Sequence, residues 1–181
     1  YHHNWLLRIC GRLWGDMYLF SKARSDQADA IFSLYREVVA EGQKHGASHW
    51  SEDYPTRAFL AEDVALQRMF VLEESDTIIA AVSLLETDDL DDEPVGWQDV
   101  KSCVPVRLCV SPKYQGQRIG EYMMNCLIEY VKPLGYQSMR LLAAENSIAA
   151  NRLYTRMGFV CLGVVQLYGM GFNAYELVFG Y

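Results

Sequence analysis

From residue 17 onward, apolar and polar positions divide the chain into short strands and a few longer helices. Residues 17–22, MYLFSK, read as a strand. Ser25 has the character of a helix N-cap, with Asp26 and Asp29 following where the helix dipole favours carboxylates. Ala28, Ile31, Phe32, Leu34, Tyr35 and Val38 recur at helical spacing, which predicts a helix over about 26–41, closed by Gly42 and Gly46. Residues 56–69 carry a second helical pattern. MFVLEE and TIIAAVSLLE are strands around a Ser75-Asp76 turn, a hairpin by the usual signals. CVPVRLCV, 103–110, is almost wholly apolar, as in a strand buried on both faces. A helix follows over about 120–132, broken at Pro133 and capped near Gly135. SMRLLAA is a strand. SIAANRLYTRM, 147–157, is a helix stopped at Gly158, and FVCLGVVQLY and NAYELVFG finish as strands.

The order β-α-α-β-β-β-α-β-α-β-β mixes hairpins with crossovers. It predicts an α/β (α+β) fold with a mixed sheet flanked by helices, in one domain spanning 17–181. Residues 1–16, YHHNWLLRICGRLWGD, are an N-terminal extension of unclear origin: either Trp5, Leu6, Ile9 and Leu13 share one helical face, or the segment is an added lead. No function attaches to it.

The composition, 51% hydrophobic and 22% charged over 181 residues, is that of an ordinary globule. A net charge of −7 makes a general binder of nucleic acid or anionic membrane a poor expectation and favours a cationic substrate. Five cysteines without CxxC spacing, three inside apolar runs, read as buried free thiols of a reducing cytoplasm. His45 and His49 are four apart but have no third ligand nearby, so no metal site is expected.

SPKYQGQRIGEY, 111–122, stands between a strand and a helix. A Walker loop needs GxxxxGK[ST], and here Gly116 and Gly120 enclose three residues with no Lys-Ser/Thr after them. The Rossmann pattern GxGxxG is also missing. What remains is a metal-free anion site. The first amides of the helix have no internal acceptor and carry the positive dipole end, Gly116 permits turn angles, and Lys113 and Arg118 add charge. A plain strand-to-helix turn is the alternative.

Some 25 residues on comes NSIAANRLYTRMGFV. Together the two stretches resemble the GCN5-related N-acetyltransferase (GNAT) family. Its coenzyme loop Q/R-x-x-G-x-G/A corresponds to Gln115-Gly116-Gln117-Arg118-Ile119-Gly120, and its later helix A-x-x-x-Y-x-x-x-G-F to Ala150 through Tyr154 to Gly158-Phe159. HW-x-x-x-YP with VGW and VxRLxV is similar to a bacterial subgroup of that family. Arg118 occupies the usual middle glycine, which backbone binding tolerates if its φ stays negative. The family's frequent Asn, seven before the Tyr, is here Ser147, with Asn146 one earlier.

The resemblance implies acetyl-CoA as acetyl donor, no metal, and direct transfer to a primary amine. By position, Gln115 to Gly120 hold the pyrophosphate, with Asn146, Ala150 and Asn151 contributing from the later helix. Leu108, Cys109 and Val110 offer main-chain hydrogen bonds to the pantetheine arm. The amide of Cys109 or Val110 faces the oxyanion, and Tyr154 protonates the leaving thiolate. For Tyr154, an aromatic filling the core is the alternative. CVPVRLCV has no carboxylate for the base, and its one charge is Arg107. Glu86 and Asp99 are the candidates, acting directly or through water. Trp50, Asp53 and Tyr54 border the acceptor site, with core packing the alternative for the two aromatics. The six carboxylates within 86–93 either attract a basic acceptor or form a solvated loop. The acceptor is expected to be a small-molecule amine, with a protein amine and a non-catalytic CoA sensor as rivals. A homodimer stays open.

Overall fold

The computed structural model describes residues 8–13, 16–44, 50–51, 53–86, 90 and 93–180. His45, His49 and Gly46, Trp5 and Leu6, and residues 87–89 and 91–92 of the acidic loop lie outside these. The chain forms two interleaved compact units, residues 1–83 with 107–126, and residues 84–106 with 127–181.

In the first unit, strands β1 (Arg8–Leu13), β2 (Asp16–Lys22), β3 (Met69–Glu74) and β4 (Thr77–Leu85) form an antiparallel run, and the C-terminal end of β5 (Ser102–Val110) follows β4. β1 corrects the sequence reading. Ile9 and Leu13 lie on a strand paired to Leu19 and Asp16, where a helical face was expected. Six residues satisfy both periods, and pairing to β2 decides.

Helix α1 (Ala28–Lys44) buries Ile31, Leu34, Tyr35 and Val39, one face at helical spacing. A 3-10 turn at Ser25–Gln27 leads into it. Its cap is Arg24, whose N–H donates to the Gln27 side chain at 2.9 Å, so Ser25 is not the N-cap. α1 runs through Gly42. That glycine keeps negative φ, and an interior glycine weakens a helix by about 1 kcal/mol without stopping it. α2 (Arg57–Ala65) is capped by Thr56, whose Oγ1 accepts from the Phe59 N–H. It ends four residues before the predicted limit, because Gln67 adopts φ +57° and the chain turns into β3. Ile31, Leu34, Tyr35, Leu60, Val64, Met69, Val71, Ala81 and Cys109 make one core, with Trp50 packed against it.

In the second unit the order is the N-terminal part of β5, then β6 (Ser138–Ala144), β8 (Met170–Val178) and β7 (Val160–Leu167). β5 and β6 are parallel and the remaining pairs antiparallel. The parallel pair requires a crossover, and α3 (Ile119–Val131) lies on that connection, followed by a 3-10 turn over Lys132–Leu134 that closes at Gly135 with φ +92°. α4 (Ile148–Met157) stops at Gly158, also φ +92°. Glu176 is buried and fully matched: the Arg140 Nε at 3.0 Å, the Ser138 hydroxyl at 2.9 Å and the Gln98 N–H at 2.8 Å all donate to it. Cys103, Cys109 and Cys126 are buried, and Cys161 is exposed.

Candidate functional site

β5 ends at Val110, and the Ser111 N–H donates to Ile79 O at 2.7 Å. A 3-10 turn over Pro112–Tyr114 follows, then the turn Gln115–Arg118, and α3 starts at Ile119, anchored by its buried side chain. The first helical bond is Tyr122 N–H to Arg118 O at 3.1 Å. Among the described residues, none of the N–H groups of Gly116, Gln117, Arg118, Ile119 and Gly120 makes a well-formed backbone hydrogen bond. Five unmatched donors at the positive end of a helix, beside the exposed Lys113 and Arg118, suit a diphosphate.

Gly116 has φ +78°, and a Cβ there would meet nothing within 4 Å, so the glycine serves the angle rather than the space. Arg118 corrects the expectation of negative φ: it stands at +59°, the left-handed region. A non-glycine residue there costs about 1–2 kcal/mol. The turn thus takes its shape at this position with an arginine in place of glycine.

Upstream on β5, Leu108 and Val110 are half-buried and Cys109 is buried in the first core. Burial pushes the Cys109 thiol up to about 12, so this cysteine offers main-chain groups and no nucleophile. Burial raises Cys103 to about 12 as well, and Tyr35 well above its ordinary value. Groups whose folded pKa is raised contribute stability that is present below their unfolded values, near pH 9 for the thiols, and lost as pH rises toward 12. The melting temperature is therefore expected to fall between pH 9 and 11, and Cys109→Ala to flatten that fall. Parallel slopes in the two proteins, measured by calorimetry against pH, would refute this.

Trp50 packs on Tyr35 with ring centroids 5.7 Å apart. Asp53 is exposed, and its N–H donates to Ser51 Oγ at 3.1 Å. Tyr54 is 36% exposed, sets its ring edge-on to Phe59 and accepts from the Arg107 guanidinium at 3.2 Å. Of the acceptor candidates, Trp50 is tied to the core, whereas Asp53 and Tyr54 face solvent. Sequence reasoning missed Asp63, a buried α2 carboxylate that accepts from Arg107 at 2.5 Å and Ser83 at 2.6 Å, with Arg68 at 3.1 Å. The signal was Arg107 itself, a lone charge in an apolar strand that needs a buried partner.

In the second unit Tyr154 is 8% exposed, edge-on to Phe159 at 5.4 Å and tilted to Tyr175 at 5.8 Å. Burial pushes its phenol up to about 12, which keeps it protonated throughout the neutral range. Asn151, one turn earlier, donates to Ala144 O and Ser147 O and accepts from Asn173 and from Tyr175 at 2.6 Å. Its carboxamide is spent on fixing α4. Asn146 is exposed in the turn before α4, and Ala150 is half-buried on the helix. Glu86 is exposed and hydrogen-bonded with the Tyr136 phenol, whose pKa is raised by burial first and by this carboxylate after it. Asp99 is exposed in the loop before β5. Tyr154 and Asn151 thus meet around Tyr175, and neither Glu86 nor Asp99 has a contact in that cluster.

Separately, a cavity of about 690 Å³ in the first unit is lined by Asp26, Glu37, Glu73 and Asp76 together with Arg24 and Leu34. None of the residues assigned above to coenzyme or acceptor lines it. Among the described residues no group of three His, Cys, Asp or Glu side chains could hold a metal ion, and no helix is long and apolar enough to cross a membrane.

Residues 29–159 match the model of the Acetyltransferase (GNAT) family. A comparison with curated proteins found no match. Among solved structures, a GNAT-family acetyltransferase from Streptococcus agalactiae superposes with a TM-score of 0.82 at 21% identity, covering 94% of this chain and 99% of that one. The PaiA N-acetyltransferase of Thermoplasma acidophilum, in complex with coenzyme A, gives 0.69 at 15% identity, with coverages of 90% and 99%. YncA of Salmonella typhimurium, with its cofactor acetyl-CoA, gives 0.68 at 17% identity, with coverages of 89% and 93%. At these identities the structures attest the mixed α/β fold, and the match over residues 29–159 attests the kinship: the chain belongs to the GNAT family of acetyltransferases.

Proposed function

We propose that this chain transfers acetyl from acetyl-CoA to the primary amine of a small molecule. The observation that carries the reading is the run of five unmatched N–H groups from Gly116 to Gly120 at the start of α3. A coenzyme pyrophosphate is the diphosphate that such a cradle suits in a family of acetyltransferases. The coenzyme-bound structures of PaiA and YncA support the same choice.

In this reading Leu108, Cys109 and Val110 pair through their main chain with the pantetheine arm. The neutral amine attacks the thioester carbonyl, and the amide of Cys109 or Val110 stabilises the oxyanion. Glu86 or Asp99 takes the amine proton, directly or through water. The C–S bond then breaks, and Tyr154 gives its proton to the departing thiolate. The net charge of −7 favours a cationic acceptor.

The test is release of coenzyme A thiol from acetyl-CoA across a panel of small amines, basic peptides and proteins. Turnover with small amines supports the proposal. Turnover with peptides alone moves the acceptor to protein amines. Tight coenzyme binding without any turnover makes the chain a sensor.

Arg118→Gly separates backbone from side chain in the loop. Glycine relaxes the left-handed angle, so only the guanidinium is lost. Coenzyme A binding is expected to weaken about 3- to 10-fold, the scale of one charge-assisted contact, with the melting temperature maintained. Unaltered affinity by calorimetry would mean that Arg118 makes no contact with the coenzyme.

A further inference from the structure

One polar assembly in the first unit is unused by this reading, and it centres on Arg107. That residue sits inside β5 with φ +55°, a conformation that an L-residue keeps only when its surroundings enforce it. The enforcing groups are visible. The Tyr35 hydroxyl, at the centre of the core, donates to Arg107 O at 2.6 Å. Asp63 accepts from one arm of the guanidinium at 2.5 Å, and Tyr54 accepts from the other at 3.2 Å. Asp63 is itself held by Ser83 at 2.6 Å and Arg68 at 3.1 Å. The Arg107 Nε is buried without a partner, an unfavourable position that these bonds impose.

The kink changes the strand after it. Cys103, Val104 and Pro105 are buried in succession, residues 106–108 are half-buried, and Cys109 turns back into the core beside Tyr35. A regular strand alternates faces, so a left-handed residue at 107 resets which way the next N–H and C=O groups point.

We infer that Tyr35 and Asp63 are positioning residues that lock Arg107 in its left-handed turn and so aim the main chain of Leu108, Cys109 and Val110. This rests on the proposal that those groups receive the pantetheine arm and the oxyanion. Neither side chain needs to touch the coenzyme. The lock also ties β5 to Tyr54, in the segment assigned to the acceptor.

The test uses the full chain and three variants, Tyr35→Phe, Asp63→Asn and Tyr54→Phe, each assayed at a temperature where its melt shows it folded. Two readouts are taken. The first is amide hydrogen exchange over residues 107–111 in the absence of ligand, against a peptide from α3 as internal reference. The second is kcat and KM for acetyl-CoA. Tyr35→Phe and Asp63→Asn are expected to speed exchange selectively over 107–111 and to lower kcat about 10- to 100-fold, the range that a misplacement of about 1 Å brings. Tyr54→Phe deletes one tie at an exposed position without emptying the core. It should show the same selective shift in smaller measure, which keeps the inference testable if a core variant fails to fold. Arg107→Lys should retain more activity than Arg107→Ala, since it keeps a charge for Asp63. Uniform or unchanged exchange, with kcat and KM within about twofold of the parent, would make the assembly merely structural and overturn the inference. If the parent chain neither binds nor turns over acetyl-CoA, the proposed function fails, and the lock is judged on exchange alone.

Discussion

Tyr154→Phe is expected to lower kcat for acetyl transfer by about 10²-fold, the lower end of what a positioned proton donor contributes. The change removes one oxygen and nothing else. The ring stays edge-on to Phe159 and tilted to Tyr175, so the packing of α4 is preserved and the melting temperature should hold. A phenol pushed up to about 12 by burial is protonated at every pH at which the enzyme would be assayed. The pH–rate profile between 6 and 9 should therefore contain no limb that Tyr154→Phe removes. Any limb in that range belongs to the base or to the amine. An unchanged kcat would return Tyr154 to the role its burial equally allows, an aromatic filling the core.

Gly120→Glu is expected to weaken coenzyme A binding by about 10²-fold or more. Two effects add. A side chain enters the first turn of α3, where the unmatched N–H groups point, and its carboxylate competes for the helix terminus that would hold the pyrophosphate. Repulsion between two anions at that distance is worth several kcal/mol at a protein surface. A carboxylate near a helix start is locally favourable, so the fold itself should be undisturbed. Titration calorimetry with coenzyme A checks it, with Gly120→Ala expected to lie between parent and variant. Equal affinities for all three would remove the loop from the binding site.

Most of the sheet is legible in the sequence because its signals are local. The Ser75-Asp76 turn, the apolar run of β5, and Gly135 and Gly158 as helix stops all act within a few residues, and the structure has them where the pattern predicts. What was illegible depends on partners distant in the chain. β1 becomes a strand because β2 is there to pair with it. Asp63 looks like one more exposed helix acid until Arg107, 44 residues later, arrives beside it. The left-handed Arg118 could not be read from residue type, because only geometry reveals that the turn imposes the angle regardless of what stands there. Of the candidate site, the turn before α3 was the most readable part, since a Gly-containing turn before a helix advertises its own donors. The base was the least readable, since a carboxylate carries no mark of what it faces.

The cysteines have a practical consequence for any such measurement. Cys103 and Cys109 are shielded by the fold and held as thiols, and Cys126 is buried too, whereas the side chain of Cys161 lies open on β7. An assay that detects released coenzyme A with a thiol-reactive dye will therefore label the enzyme as well as the product. Colour from Cys161 would imitate a rapid turnover before any acetyl has moved. Replacing Cys161 with serine would remove its share of that false signal, and among the described cysteines the same residue offers a place to attach a fluorophore while the buried thiols stay untouched.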